Sequence, residues 1–300
     1  MRRFEIVPEG PFDLETETTH FVGWPRLGDG IVMAFPVEGW NSAAAVVMRQ
    51  RGHTITGDVY GDDGADIERA WRQALATVSL DVDGGGFVDV GRRDPVIGRL
   101  QAEYHSLRPV LFHSPYEAAT AFVIGHRITI LQTRRIRQRM AEEAGPSIDV
   151  DGTAFKAFPD PRALLRLDGF PGVAPIKIER LHQVARAALE GMLDRARLRS
   201  LPESEALQQL RTLPGIGEFF AQGILMRGAG LVDAVTGDDF TPRAIELLYQ
   251  LPARPDAAAV LERAESWRPY RMWACVLLNV WVRSQPPEVR GPRQIRSRRK

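Results

Sequence analysis

The chain has 300 residues, 44% of them hydrophobic, and a formal net charge of +1 at pH 7. This length and apolar content predict a soluble globular protein of about two ordinary domains, with a core that needs no cross-links. The single cysteine, Cys275, excludes an internal disulfide, a thiolate zinc site and a cluster held by four cysteines.

Charge is distributed unevenly along the chain. Residues 1–100 contain 10 basic and 16 acidic side chains, and the other 200 contain 29 and 22. The last eleven residues, RGPRQIRSRRK, hold six basic and no acidic side chains. Such a tail either binds phosphates by charge or is a disordered, solubilising end, and composition leaves both open.

The first hundred residues predict a small α+β domain. Short alternating or β-branched runs at 31–37, 44–52 and 53–61 predict a mainly antiparallel sheet. The segment 65–80 has apolar residues at helical spacing and predicts a helix packed on that sheet. No apolar run is long enough to span a bilayer, so we expect no membrane partner and a cytoplasmic protein.

The pattern of apolar residues changes near residues 90–110, and from there it has helical spacing almost to the end of the chain. We predict an all-α domain over 101–285 and a disordered basic tail over 286–300. Ser114-Pro115 and Thr241-Pro242 each place a capping hydroxyl before a proline that begins a helix. The predicted helices cover 96–104, 115–127, 131–144, 161–167, 177–190, 203–212, 218–227, 242–249, 255–265 and 270–283.

The most informative motif is a helical hairpin at 203–228. One helix ends at Leu213-Pro214, a tight Gly215-Ile216-Gly217 turn follows, and a second helix begins at Glu218. Glycines remove Cβ atoms where the backbone bends and allow close approach of another molecule, so the turn amides suit a phosphate. The alternative is a plain tight connector. The motif lacks the third glycine of a dinucleotide site and the Gly-Lys-Ser/Thr of a P-loop.

The run LPGIGEFFAQGILMRGAGLVDAVTGDDF resembles the hairpin and downstream aspartate of the helix-hairpin-helix DNA glycosylase superfamily. It is most similar to the AlkA branch, the 3-methyladenine DNA glycosylase II enzymes. That branch has an alanine four residues after the last turn glycine, then an Arg-Gly pair and an acidic pair before an aromatic residue. Those positions are Gly217, Ala221, Arg227-Gly228 and Asp238-Asp239-Phe240. Weaker similarity extends over 90–283, and the N-terminal sheet fits the extra domain of that branch.

The resemblance implies a monofunctional DNA glycosylase that removes alkylated purines in base excision repair. Asp239, immediately before the aromatic residue, takes the place of the catalytic carboxylate, which stabilises oxocarbenium charge on the sugar. Asp238 becomes a turn residue, and Thr241-Pro242 is a sufficient helix start without either aspartate. Phe219 stands where strand-nicking relatives have a Schiff-base lysine, so simple hydrolysis without a cofactor is expected.

The resemblance also implies a pocket for the flipped base. Phe219 and Phe240 would line it and stack on a cationic base, although ordinary helix packing explains them equally well. Gly223 replaces a tyrosine of the family, and Asn279 replaces a tryptophan. Trp281 lies two residues later, a helical turn of about 200°, so it cannot substitute without a register shift. These departures predict a wider or differently selective pocket.

Damaged double-stranded DNA is the implied partner of a monomer that works at the nucleoid. The turn residues Gly215, Ile216, Gly217 and Glu218 would hold backbone phosphate, with a cation on the hairpin carbonyls and no side-chain metal site. The segment Gly125-His126-Arg127-Ile128-Thr129 corresponds to the wedge that fills the hole left by the base. Arg127 would stack there or bind the facing phosphate, and a plain polar surface remains the alternative for His126 and Arg127.

Two other hypotheses stay open at the level of sequence. One is a glycosylase-like protein that senses bent or damaged duplex without cleaving it, favoured by the altered wedge, Gly223 and Asn279. Asp239 at the family spacing opposes it. The other treats the hairpin as a scaffold contact only.

Overall fold

The computed structural model describes residues 1–20, 23–62, 64–235 and 237–290. Two compact units form, each from separate parts of the sequence. The first unit contains Met1–Glu9, Asp13–Asp83 and Val110–Leu231, and the second unit contains Gly10–Phe12, Gly84–Pro109 and Val232–Lys300. The division into 1–100, 101–285 and 286–300 stays a prediction.

Short strands dominate the beginning of the chain, and helices dominate the rest. In chain order, the elements are β1 (Arg2–Ile6), α1 (Leu14–His20), β2 (Arg26–Leu27), β3 (Gly30–Pro36), β4 (Ala43–Arg51), β5 (Thr54–Gly61), α2 (Ile67–Thr77), α3 (Phe87–Arg93), α4 (Pro95–Glu103), α5 (Pro115–Gly125), α6 (Ile130–Ala144), β6 (Ser147–Val150), β7 (Thr153–Lys156), α7 (Pro161–Leu165), α8 (Pro175–Leu189), α9 (Arg195–Ser200), α10 (Glu203–Arg211), α11 (Glu218–Ile224), α12 (Phe240–Leu248), α13 (Ala257–Ala264), α14 (Arg271–Ser284) and α15 (Pro287–Arg290). A π-helical turn, Leu225–Ala229, continues α11, and a 3₁₀ turn, Glu265–Trp267, continues α13.

The predicted α+β class is confirmed. Five antiparallel strands lie in the order β1-β5-β4-β3-β2, and α2 packs on β4 and β5. The Trp71 ring of α2 lies directly over Gly57, and it fills the space that a Cβ atom would need there. The strands form because β-branched and small apolar residues fill both faces of β4 and much of β3.

One part of the predicted all-helical region is wrong. Residues 147–156 form the antiparallel hairpin β6–β7 inside the first unit. The sequence SIDVDGTAFK alternates apolar and polar residues about an Asp151-Gly152 turn, and both turn residues have left-handed backbones, φ +51° and +83°. That is the turn an Asp-Gly pair favours between strands. Ile148 and Val150 bury their side chains against Val47 and other residues of the sheet.

Within the first unit, the sheet and the helices share buried contacts. Trp40 donates a hydrogen bond from Nε1 to Ala188 O at 3.0 Å and packs edge-on against Tyr116. Beside it, Glu38 Oε1 lies 3.7 Å from Nε of the buried Arg195. Burial raises the pKa of Glu38 to about 7, although Arg195 acts in the opposite direction.

Asp94 is the polar centre of the second unit. Its Oδ1 atom caps α4 by accepting from Val96 N, and its Oδ2 atom accepts from Trp267 Nε1 at 2.8 Å and Tyr249 Oη at 2.5 Å. Four residues of the predicted tail form the short helix α15, and residues 291–300 lie outside the described part of the chain. No helix of the described ranges is long and apolar enough to cross a membrane.

Candidate functional site

The predicted helical hairpin is present, with α10 and α11 joined by residues 212–217. Leu213 and Ile216 are buried, and Ile216 N donates to Leu213 O at 3.0 Å. The side chain of Ile216 therefore anchors the turn to the core, whereas Gly215 and Gly217 are exposed. Gly215 has φ +86°, a left-handed backbone that glycine adopts without strain.

Gly217 differs from Gly215 because nothing inside the described structure requires a glycine there. Its φ of −89° and ψ of −176° suit any residue, and a Cβ atom would meet no heavy atom within 4 Å. The open space in front of this backbone leaves room for an external molecule. Glu218, next in the chain, is exposed and forms an ion pair with Arg211 at 3.0 Å.

Two basic side chains of α8 lie at this end of the first unit, and the sequence prediction missed both. Arg180 packs on Gly215, with Cδ 2.7 Å from the position of a Cβ atom there, and makes no hydrogen bond or ion pair with the described residues. Lys177 donates from Nζ to Ile124 O at 2.7 Å and His126 O at 2.8 Å. Their spacing of three on one helix was the available signal.

Lys177 fixes the turn that leads from α5 to α6. In that turn Arg127 is exposed and has φ +61°, and Thr129 forms a capping box with Gln132 at the start of α6. Burial, followed by the charge of Arg127, lowers the pKa of His126. The predicted wedge position is therefore the exposed tip of a turn held from behind by a half-buried cation.

The acidic pair lies at the start of α12, and its two members are bonded differently. Asp238 Oδ1 accepts from Phe240 N at 2.6 Å and Thr241 N at 2.8 Å, and Oδ2 accepts from Thr241 Oγ1 at 3.0 Å. Asp239 is half-buried and forms no side-chain hydrogen bond or ion pair with the described residues.

The expected helix start at Thr241-Pro242 is therefore wrong, because α12 begins at Phe240 and Asp238 supplies the cap. Thr241 gives its hydroxyl hydrogen to Asp238 instead of capping the helix. A carboxylate accepts two backbone N–H groups more effectively than one hydroxyl oxygen does, which explains the longer helix.

Comparisons with known proteins find DNA glycosylases among the relatives of this chain. No protein-family model matches the chain. The chain is 28% identical over 200 residues to DNA-3-methyladenine glycosylase 2 of Escherichia coli. This alignment covers 64% of this chain and 66% of that protein. It is 25% identical over 205 residues to DNA-3-methyladenine glycosylase of Bacillus subtilis, covering 66% and 67%. The matches thus span about two thirds of each relative.

Solved structures show the same fold. A 3-methyladenine DNA glycosylase from Archaeoglobus fulgidus superposes with a TM-score of 0.76 at 21% identity, over 93% of this chain and 98% of that one. An 8-oxoguanine glycosylase/lyase from Clostridium acetobutylicum superposes with a TM-score of 0.70 at 18% identity, over 94% and 98%. The chain is thus similar in sequence to 3-methyladenine DNA glycosylases of the AlkA-like branch, and it has the fold of these solved glycosylase structures.

The residues that the resemblance predicts for the base pocket fall in both units. Phe219 and Gly223 belong to the first unit, and Asp239, Phe240, Asn279 and Trp281 belong to the second. Their common role as a base pocket stays a prediction.

The space at Gly223, the family's tyrosine position, is filled. A Cβ atom there would lie 2.5 Å from the Phe122 ring, which stacks on Phe220 with centroids 5.2 Å apart. Phe219 lies beside Phe220 and keeps 46% of its surface exposed. The Phe122 ring, which comes from α5, therefore occupies the space beside Gly223, where the family has a tyrosine. No gap opens at this position.

On α14, the family's tryptophan position is occupied by an amide that faces the acidic pair. Asn279 Nδ2 lies 3.2 Å from Asp238 Oδ2 and 2.9 Å from Thr241 Oγ1. Because α14 is continuous from Arg271 to Ser284, Trp281 points about 200° away from Asn279. The guanidinium of Arg283 lies over the ring of Phe240, with Cζ 4.7 Å from the ring centroid.

No group of three metal-binding side chains occurs among the residues that the structure describes. The predicted cation on the hairpin carbonyls remains a prediction.

Proposed function

We propose that the protein is a monofunctional DNA glycosylase that hydrolyses the N-glycosidic bond of alkylated purines, of the 3-methyladenine type, in double-stranded DNA. The similarity to two bacterial 3-methyladenine DNA glycosylases supports this function. The observation that carries it is the contrast within the acidic pair. Asp238 is fully used in capping α12, whereas Asp239, at the catalytic position of the family, is half-buried and unpaired within the described chain.

The chemistry needs one fixed carboxylate and a leaving group that already carries charge. An N3- or N7-alkylated purine departs with its bonding electrons and becomes neutral, while the sugar gains oxocarbenium character. The Asp239 carboxylate stabilises that charge, then accepts a proton as water adds to the anomeric carbon. Phe219 has no amine to form a Schiff base, so the product is an abasic site in an unbroken strand.

The duplex would be held mainly through its backbone. The exposed turn at Gly215 and Gly217 offers amides to a phosphate. The guanidinium of Arg180, which has no ion-pair partner among the described residues, adds a positive charge beside it. Arg127 at its exposed turn would fill or flank the gap left by the flipped base. Binding of this kind is independent of sequence and weakens with salt. One hairpin and one carboxylate serve one lesion, so we propose a monomer acting at the nucleoid.

The second candidate is a sensor of damaged or bent duplex that does not cleave it. Arg127 in place of an apolar wedge and Asn279 in place of an aromatic residue favour it, because both change contacts that a flipped base needs. The carboxylate of Asp239, which is unpaired among the residues that the structure describes, favours the enzyme instead, since a sensor has no use for it.

Base release separates the two candidates. Wild-type protein, Asp239→Asn and the control Glu288→Gln are incubated with duplex containing methylated purines, and free base is measured. Glu288 is exposed on α15 and its substitution removes one negative charge from the same unit. The enzyme predicts release by wild type and the control but not by Asp239→Asn. Binding without release from any lesion, in all three proteins, would overturn it.

A further inference from the structure

The loop that carries Asp239 is attached to α14 at both of its ends. At the beginning, Arg271 donates from Nε to Asp233 Oδ1 at 2.7 Å and from Nη2 to Asp233 O at 2.6 Å. At the other end, Asn279 donates to the carboxylate of Asp238 and to the hydroxyl of Thr241. All of these residues belong to the second unit.

The hydrogen bonds at the Asn279 end have a fixed direction. The Asn279 Nδ2 atom is surrounded by three acceptors, Asp238 Oδ2, Thr241 Oγ1 and Cys275 O, at 3.2, 2.9 and 3.0 Å, which identifies it as the amide nitrogen. Thr241 accepts from Asn279 and gives its own hydrogen to Asp238. The amide therefore acts on Asp238 directly and through Thr241.

Asp239 depends on this arrangement because its own carboxylate has no partner among the described residues. Its position is set by the backbone on either side, where Asp238 holds the N–H groups of Phe240 and Thr241. If Asp238 loses the hydrogen bond from Asn279, its carboxylate is free to rotate and the first turn of α12 is less well defined. Thr241 is fully buried, so its oxygen would also lose a donor that water cannot replace.

We propose that Asn279 is a positioning residue for base release, which acts on Asp239 through Asp238 and Thr241 and does not contact the base. This inference rests on the proposed glycosylase function. It assigns to this chain a polar support for the catalytic turn, at the position where the family resemblance implied an aromatic wall of the base pocket.

The test compares Asn279→Leu with the control Gln285→Leu. Leucine has the same branched arrangement of heavy atoms as asparagine but is bulkier and has no donor. Gln285 follows α14, and its amide donates a hydrogen bond to the Trp281 carbonyl of that helix. Single-turnover base release is measured on duplexes containing 3-methyladenine and 7-methylguanine, and Kd on a duplex with an uncleavable abasic-site analogue. Because a small misplacement of a catalytic group costs up to about 100-fold in rate, we expect release about 10- to 100-fold slower.

A positioning role predicts the same loss for both bases, since Asp239 acts on the sugar, and a Kd within about twofold of wild type. It also predicts non-additivity, as expected for residues in one hydrogen-bonded network. Asp238→Ala combined with Asn279→Leu should be no slower than the slower single variant. Thr241→Val removes the hydroxyl that lies between Asn279 and Asp238 and keeps nearly the same side-chain shape, so it should slow base release in the same way. If Asn279→Leu does not fold, the rate of Thr241→Val tests the proposal.

Three results would overturn the inference while leaving the proposed function intact. They are wild-type rates in Asn279→Leu, a loss that differs between the two bases, and losses that multiply in the double variant. If wild type itself releases neither base, the proposed function fails and this inference fails with it.

Discussion

The open space in front of Gly217 gives the sharpest test of the hairpin, because folding and binding should respond differently to a single methyl group. We consider Gly217→Ala. The backbone there is extended, and a Cβ atom meets nothing within 4 Å. Replacing a glycine by alanine at a compatible position stabilises a protein by about 0.4–1 kcal/mol, through the unfolded chain. We therefore expect an unchanged or slightly raised free energy of unfolding.

DNA binding should weaken in the same variant. The methyl group would occupy the space through which a phosphate approaches the turn amides. Loss of one hydrogen bond to a charged group costs about 1.5–3 kcal/mol, which raises Kd by about 10- to 150-fold. Kd is measured by fluorescence anisotropy with an abasic-analogue duplex at one fixed salt concentration, and the free energy of unfolding by urea titration.

Gly169→Ala is the matched control, since Gly169 is also exposed in the first unit and a Cβ atom there meets nothing within 4 Å. Gly215→Ala should lower the free energy of unfolding as well as weaken DNA binding. Its φ is +86°, and Cδ of Arg180 lies 2.7 Å from the position of the added Cβ atom. A Kd for Gly217→Ala equal to that of Gly169→Ala would refute phosphate binding at this turn.

Further predictions concern the acidic pair and a buried acid. Asp238→Ala should lower the free energy of unfolding by about 1–2 kcal/mol, because α12 loses its cap. Asp239→Asn should leave the free energy of unfolding unchanged. Thermal denaturation of both variants checks these two expectations. Burial raises the pKa of Glu38 to about 7, so the folded state binds the proton more tightly than the unfolded state. This contribution to stability is present at low pH and is lost as pH rises towards 7 and above. Between pH 5 and pH 8 the loss is about 2–3 kcal/mol, and Glu38→Gln should remove it. Urea titrations at both pH values measure it, and an equal pH dependence in both proteins would contradict it.

Local signals in the sequence were sufficient for most of the helices and for the hairpin. Ser114-Pro115 begins α5 as predicted, with the Ser114 hydroxyl accepting from Glu117 N. The glycine turn between α10 and α11 was predicted because its determinants lie within a few residues of one another. The sequence predicts no β6–β7 hairpin, although an Asp-Gly pair marks it, because helical patterns flank this segment on both sides.

The sequence by itself determined the fold class, the family resemblance and the pair of aspartates at the expected spacing, because these depend on composition and on motifs read within about thirty residues. Only the tertiary structure decided how the members of that pair differ. Asp238 receives a donor from Asn279, 41 positions away, and Asp239 receives none from the described chain. The same holds for Phe122, whose ring fills the space at Gly223 from another helix. A hydrogen bond or a packing contact between distant segments depends on where the folded chain brings them, which no local pattern records.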